Sequence, residues 1–156
     1  MVTETETETE TPTETETTLT AQLKTEHVAL LACLDHLKQL GIASAQGQAE
    51  VQRARKLLIA HLQREDEAFY SVLRQAAEHD SGLKIMLETF AVEMQQITSD
   101  VMAFFDDHEG HQPDTPYAEA LGRLCARVHD RITREEAVLV PLFDRARARR
   151  SSGDAA

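Results

Sequence analysis

Cysteine occurs only twice in this chain of 156 residues, at Cys33 and Cys125. The two are far apart, fit no zinc or redox spacing, and read as small buried apolar residues. Glycine and proline are sparse, six and four residues, and punctuate the chain at Gly41 and Gly47, at Gly82 and through GHQPDTP at 110–116. No glycine-rich phosphate loop can be built from them, and no serine or cysteine is set beside a base by motif, so nucleophilic catalysis finds no support. Tyr70 and Tyr117 are too few for a redox relay. No basic segment followed by an apolar stretch opens the chain, and no purely apolar run approaches bilayer length. A soluble, cytoplasmic protein without a membrane partner is expected.

Basic charge is also short, with 16 Lys and Arg against 27 Asp and Glu and a net charge of −11. Six of those negative charges sit in the opening MVTETETETETPTETETT, residues 1–18, which has no basic residue. That tail has nothing to bury and is expected to be disordered. Without it the chain keeps a net charge of about −5, which argues against nucleic acid as a partner.

What the chain does have is 42% apolar residues, enough for one domain with a real core. The expected domain covers 19–148, with 149–156 fraying beyond it. Four segments rich in Ala, Leu, Glu, Gln and Arg lack period-two alternation and favour helix. The first, 19–40, repeats Leu23, His27, Leu30, Leu34 and Leu37. The second, 48–77, runs Val51, Ala54, Leu58, His61, Glu65, Ala68, Val72 and Ala76. The third, 81–107, runs Leu83, Leu87, Phe90, Met94, Ile97, Val101 and Phe104 without a polar member. The fourth, 115–148, runs Leu121, Leu124, Val128, Arg131, Glu135, Val138 and Leu142. Four striped helices joined by short links predict an all-α, up-down-up-down four-helix bundle. Pro141 should kink or end the last helix near Val140 unless a local adjustment carries it through.

His27, His61, Glu65, Arg131 and Glu135 therefore lie in seams that should be apolar. Burying such groups singly is expensive, so they must satisfy one another at one level of the bundle. His61 and Glu65, four apart, project from one helix face as two ligands on one helix must. Histidine and carboxylate from facing helices are a common way for a bundle to hold a metal.

The pieces EHVALL, HLQREDEAFYSVL and REEAVLVPLF resemble, in order and spacing, the signature stretches of hemerythrin-like (HHE cation-binding) domains. The resemblance covers about 20–148 and implies a four-helix bundle with a non-haem di-iron centre, used for binding or sensing oxygen or iron or for handling peroxide and nitric oxide. It implies metal ligands at His27, His61, Glu65 and Glu135. Two histidines implied on the third helix are Phe90 and Met94 here, and a third, four before Glu135, is Arg131. Every loss is a nitrogen donor, and four ligands are too few for an oxygen-carrying di-iron site.

Two readings follow. In one, His27, His61, Glu65 and Glu135 hold one non-haem iron or other divalent ion, Fe(II), Mn(II) or Zn(II), in a metal- or oxygen-responsive or stress-related module. In the other, Arg131 takes the metal's place and bridges Glu65 and Glu135. The stretches LIAHLQREDEAFYSVL and ITSDVMAFFD also look like bacterial regulators that sequester the housekeeping sigma factor, which would make the chain a metal-free interaction module. Lesser candidates are a weak chelate of His108 and His111 with Asp106, Asp107 and Glu109, His129 as a rescuing ligand, and inward swings of Glu88 or Glu93. His36 and His79 read as partly exposed helix residues.

Overall fold

The computed structural model describes residues 14–108 and 114–153. Of the tail expected to be disordered over 1–18, residues 1–13 lie outside the described residues, as do Glu109 and His111 of the expected chelate. Four helical rods form an all-α bundle, and no strand occurs among the described residues. The first rod is α1 (Glu14–Leu40). The second is α2 (Ala45–Arg64), a π turn (Glu65–Tyr70), α3 (Ser71–Ala76) and a closing 3-10 turn (Ala77–His79). The third is α4 (Ser81–Asp107), and the fourth is α5 (Thr115–Arg134), a second π turn (Glu135–Leu139) and α6 (Val140–Gly153). The first and fourth rods extend a few residues beyond the expected domain limits, with helix at Glu14 and again through Gly153.

Local chemistry sets the rod ends. Gly41 adopts φ 67° and its N–H bonds back to Leu37 O, a left-handed cap that favours glycine and stops α1. A Cβ on Gly47 would sit 1.8 Å from Gly41 O, so this corner needs glycine on both sides. Ser44, Asp80 and Asp114 each accept the N–H three residues on and start α2, α4 and α5, with Pro116 in the first turn of α5. The rods pack in chain order around the bundle: α1 against α2 and α5, and α4 against α5 and the α3 end of the second rod.

The core is divided. One apolar cluster gathers Leu30, Leu34, Leu58, Ile97, Phe105 and Leu121 with their neighbours, and a second gathers Leu23, Phe69, Leu73, Phe90, Leu139 and Phe143 with theirs. Burying side chains of this size stabilises the fold by roughly 1.5–3 kcal/mol each. Both cysteines are buried free thiols, as their spacing suggested.

Between the clusters lie the five polar seam residues, and beyond them on two rods the seam moves by one position. Val138 was expected inside, yet it is 36% exposed while Leu139 is fully buried. Leu142 gives way to Phe143. On the second rod, Phe69, Leu73 and Ala77 take the buried places expected for Ala68 and Ala76, though Val72 also stays inside. The cause is the π turn that begins at Glu65 and again at Glu135: its wider ring inserts one residue and rotates everything after it. The second π turn also accommodates Pro141. Val140 N–H bonds to Glu135 O, five residues back, and the rod continues through the proline instead of ending there.

Candidate metal centre

His27 from the first rod, His61 and Glu65 from the second, and Arg131 and Glu135 from the fourth meet in one layer and are all buried. His27 Nε2 lies 3.1 Å from His61 Nε2, 3.5 Å from Glu135 Oε1 and 3.8 Å from Glu65 Oε1. His61 Nε2 lies 3.1 Å from Glu65 Oε1. One ligand atom from each of His27, His61, Glu65 and Glu135 falls within 4.8 Å of all the others.

The outer nitrogens decide what these four atoms can do. His27 Nδ1 donates to Glu136 Oε1 at 2.8 Å, and His61 Nδ1 donates to Glu26 Oε2 at 2.8 Å. Glu26 is in turn held by Arg64. With the Nδ1 protons committed outward, a neutral ring presents an Nε2 lone pair inward, so two lone pairs and two carboxylates converge. Glu65 Oε1, buried in their midst, lies 3.1 Å from His61 Nε2 without an aligned hydrogen bond. Four acceptors brought together in a buried layer call for a cation between them, either a proton or a metal ion. The donor set therefore fits a metal.

Without a metal the layer draws in protons. Burial opposes charge on His27, but bonds to Glu135, Glu65 and Glu136 outweigh it and push its pKa up to about 10. The His61 pKa is raised against burial by Glu65 and Glu26. Glu65 is held well below the usual carboxylate range, because the two histidines overcome its burial, whereas burial and the Glu65 charge raise Glu135.

Arg131 occupies the other side of Glu135. Its Nη1 lies 2.8 Å from Glu135 Oε2, its Nη2 donates to Tyr70 Oη at 2.9 Å, and its guanidinium sits 4.6 Å from the centre of the Phe90 ring. The expected bridge to Glu65 is not made: the second carboxylate near Arg131 is Glu93, 3.9 Å from Nε. Arg131 is anchored on the fourth rod, and its Nη1 ends on the Oε2 of Glu135, while Oε1 of that carboxylate faces His27. Tyr70 Oη approaches Glu135 Oε2 at 3.5 Å, and burial and that carboxylate hold its phenol above the ordinary range.

A family model, Hemerythrin HHE cation binding domain, matches residues 18–149. This chain belongs to the hemerythrin HHE cation-binding family. No curated protein and no solved structure gives a match. The hemerythrin-like fold thus brings together all four candidate ligands and Arg131.

His129 and Glu88 are exposed and face away from the layer's ligand atoms, and His36 and His79 are exposed, in line with their reading as helix residues outside the seams. His108 stacks on Phe104 at 4.2 Å, with Nδ1 2.9 Å from that residue's carbonyl. The seam pattern gives no sign of Glu26, Glu136 or Tyr70, while Glu93, a flanking carboxylate expected to face water unless it swung inward, is half-buried beside Arg131. Glu26 and Glu136 each adjoin a ligand in sequence, which was the available signal; nothing local marked Tyr70. A cavity of about 40 Å³, lined by Leu30, Leu58, Ile97, Val101 and Phe105, adjoins His27, His61 and Glu135. A surface cleft of about 330 Å³ runs past Leu62, Ala91 and Gln95 to Glu65 and Tyr70. No described helix is long and apolar enough to cross a membrane.

Proposed function

We propose that this hemerythrin-like domain binds one divalent metal ion through His27, His61, Glu65 and Glu135, and serves as a metal- or oxygen-responsive module rather than an oxygen store. The observation that carries this reading is the convergence of four buried acceptor atoms within 4.8 Å, with both imidazoles already oriented by outer carboxylates. Two nitrogens and two carboxylates suit Fe(II), Mn(II) or Zn(II). A bound ion would supply Lewis acidity and, if it is iron or manganese, one-electron chemistry.

The chain's own groups supply the rest. Glu136 and Glu26 fix the imidazole tautomers, and Arg131 holds one oxygen of Glu135 so that the other faces inward. The two apolar clusters exclude water above and below the layer. The cavity beside the ligand atoms offers room for a very small molecule, which favours a responsive role. We place the protein in the cytoplasm, where Cys33 and Cys125 would remain thiols.

Elemental analysis of protein from cultures supplemented with iron, manganese or zinc tests this. We expect close to one ion per chain, lost in His61→Ala. Absence of metal from both proteins, with helicity intact, would overturn the reading and favour the interaction module that resembles sigma-factor regulators.

A further inference from the structure

The second and fourth rods carry the same pattern around the polar layer. His61, Arg64 and Glu65 on one are matched by Arg131, Arg134 and Glu135 on the other, and each glutamate opens a π turn. Arg64 pairs with Glu26 of the first rod, which holds His61. Arg134 pairs with Glu93 of the third rod, which lies beside Arg131. Between the second and fourth rods this pattern differs at one position, where a histidine on the second is an arginine on the fourth; their neighbours differ too, with His27 on the first rod against Phe90 and Met94 on the third.

Glu135 joins the halves. Its Oε1 faces His27 and the ligand group, while its Oε2 faces the guanidinium. Arg131 is 1% exposed and cannot shed its charge. The Phe90 ring covers one face of the guanidinium and Tyr70 takes one of its donors. Its Nε and Nη1 find no aligned hydrogen-bond acceptor, so the group is held there chiefly as a charge.

We propose that Arg131 is a permanent second cation of this centre, placed on the outer oxygen of Glu135, and that it limits the site to one metal ion and lowers its affinity for that ion. Two buried carboxylates face this layer, and the guanidinium neutralises one of them. The remaining single negative charge attracts one divalent ion, and once that ion is bound the layer carries a net positive charge that opposes a second. A fixed cation across one carboxylate from the metal position weakens metal binding by repulsion. The inference deepens the cation-binding reading and rests on it for the wild-type chain.

Titration of the full chain with Co(II), followed by visible absorption and elemental analysis, tests the proposal, with circular dichroism to check folding. We expect one Co(II) per chain in the wild type. Arg131→Met, which keeps an apolar stem and removes the charge, should bind one ion at least about tenfold more tightly. Arg131→Lys should return affinity toward the wild-type value, because it restores charge without the planar fork. Arg131→His combined with Phe90→His, which points imidazoles into the space the guanidinium and ring leave, should move the stoichiometry toward two.

If Arg131→Met folds and binds Co(II) no more tightly than wild type, or if the wild type takes two ions, the inference is overturned while the cation-binding reading stands. If the wild type takes none but the charge-removing variants do, the cation-binding reading fails and Arg131 is retained as the blocking charge. No uptake by any of them overturns both. Should the double histidine variant fail to fold, the Met and Lys variants decide between charge and shape.

Discussion

The second and fourth rods present the same backbone to the same polar layer and reach opposite chemistries. Each places a nitrogen-bearing residue four before a buried glutamate, each turns into a π turn at that glutamate, and each ties an arginine to a carboxylate on a neighbouring rod. On the second rod the nitrogen belongs to His61, which can lose its proton and offer a lone pair. On the fourth it belongs to Arg131, which can only donate. At this position one rod offers a lone pair to the layer and the other a fixed positive charge.

The sharpest way to break this comparison is to remove the two glutamates in turn. Glu135→Leu leaves the Arg131 guanidinium buried and unable to neutralise itself, and should cost about 3–5 kcal/mol. Glu65→Leu leaves His27 and His61, which can both become neutral, and should cost clearly less, about 1–3 kcal/mol. Urea unfolding of the two metal-free variants measures the difference. Equal losses would mean that the halves do not differ in the way proposed.

A pH series sharpens it next. The folded-state pKa of His27 is raised from 6.5 to about 10, so the stability it contributes is fully present below pH 6.5 and is lost as pH rises toward 10. Tm of the metal-free protein should fall across that window, and His27→Asn should flatten the decline. Metal and proton compete for the same nitrogens, so metal uptake should strengthen over the same range.

The outer carboxylates provide a smaller contrast. Glu26→Gln removes the charged partner of His61 Nδ1 and should weaken metal binding by about 10–100-fold. Glu93→Gln, at the matching place on the arginine side, should leave metal affinity within a few-fold, because its carboxylate contacts no ligand atom. Its effect on stability should stay near 1 kcal/mol, as expected for a partly exposed ion pair. Competition titrations of the two variants compare them directly. A Glu93→Gln loss as large as that of Glu26→Gln would remove the distinction.

Much of this was legible in the chain. The three-four stripes place four rods, and the stripe of the third rod runs uninterrupted through Phe90, Ile97 and Val101, all buried as expected. Five polar residues inside apolar seams announced a shared layer, because no isolated buried charge survives. The seam beyond each glutamate could not be read in the same way. A 3.6-residue template carries Val138 and Leu142 inward, and only the inserted π residue turns Leu139 and Phe143 there instead. Nor could the reach of Arg131 be read: a flexible side chain on a known face can end on any acceptor nearby, and here it ends on Glu135 and beside Glu93, away from Glu65.

The sequence by itself determined that four amphipathic helices must pack and that His27, His61, Glu65, Arg131 and Glu135 must meet within them, since hydrophobic spacing and the penalty of solitary buried charge are properties of the chain. Only the tertiary structure decided how those five divide. Whether an oxygen of Glu135 faces imidazole or guanidinium depends on rotamers and on rod rotation, which are fixed by packing across residues about a hundred positions apart.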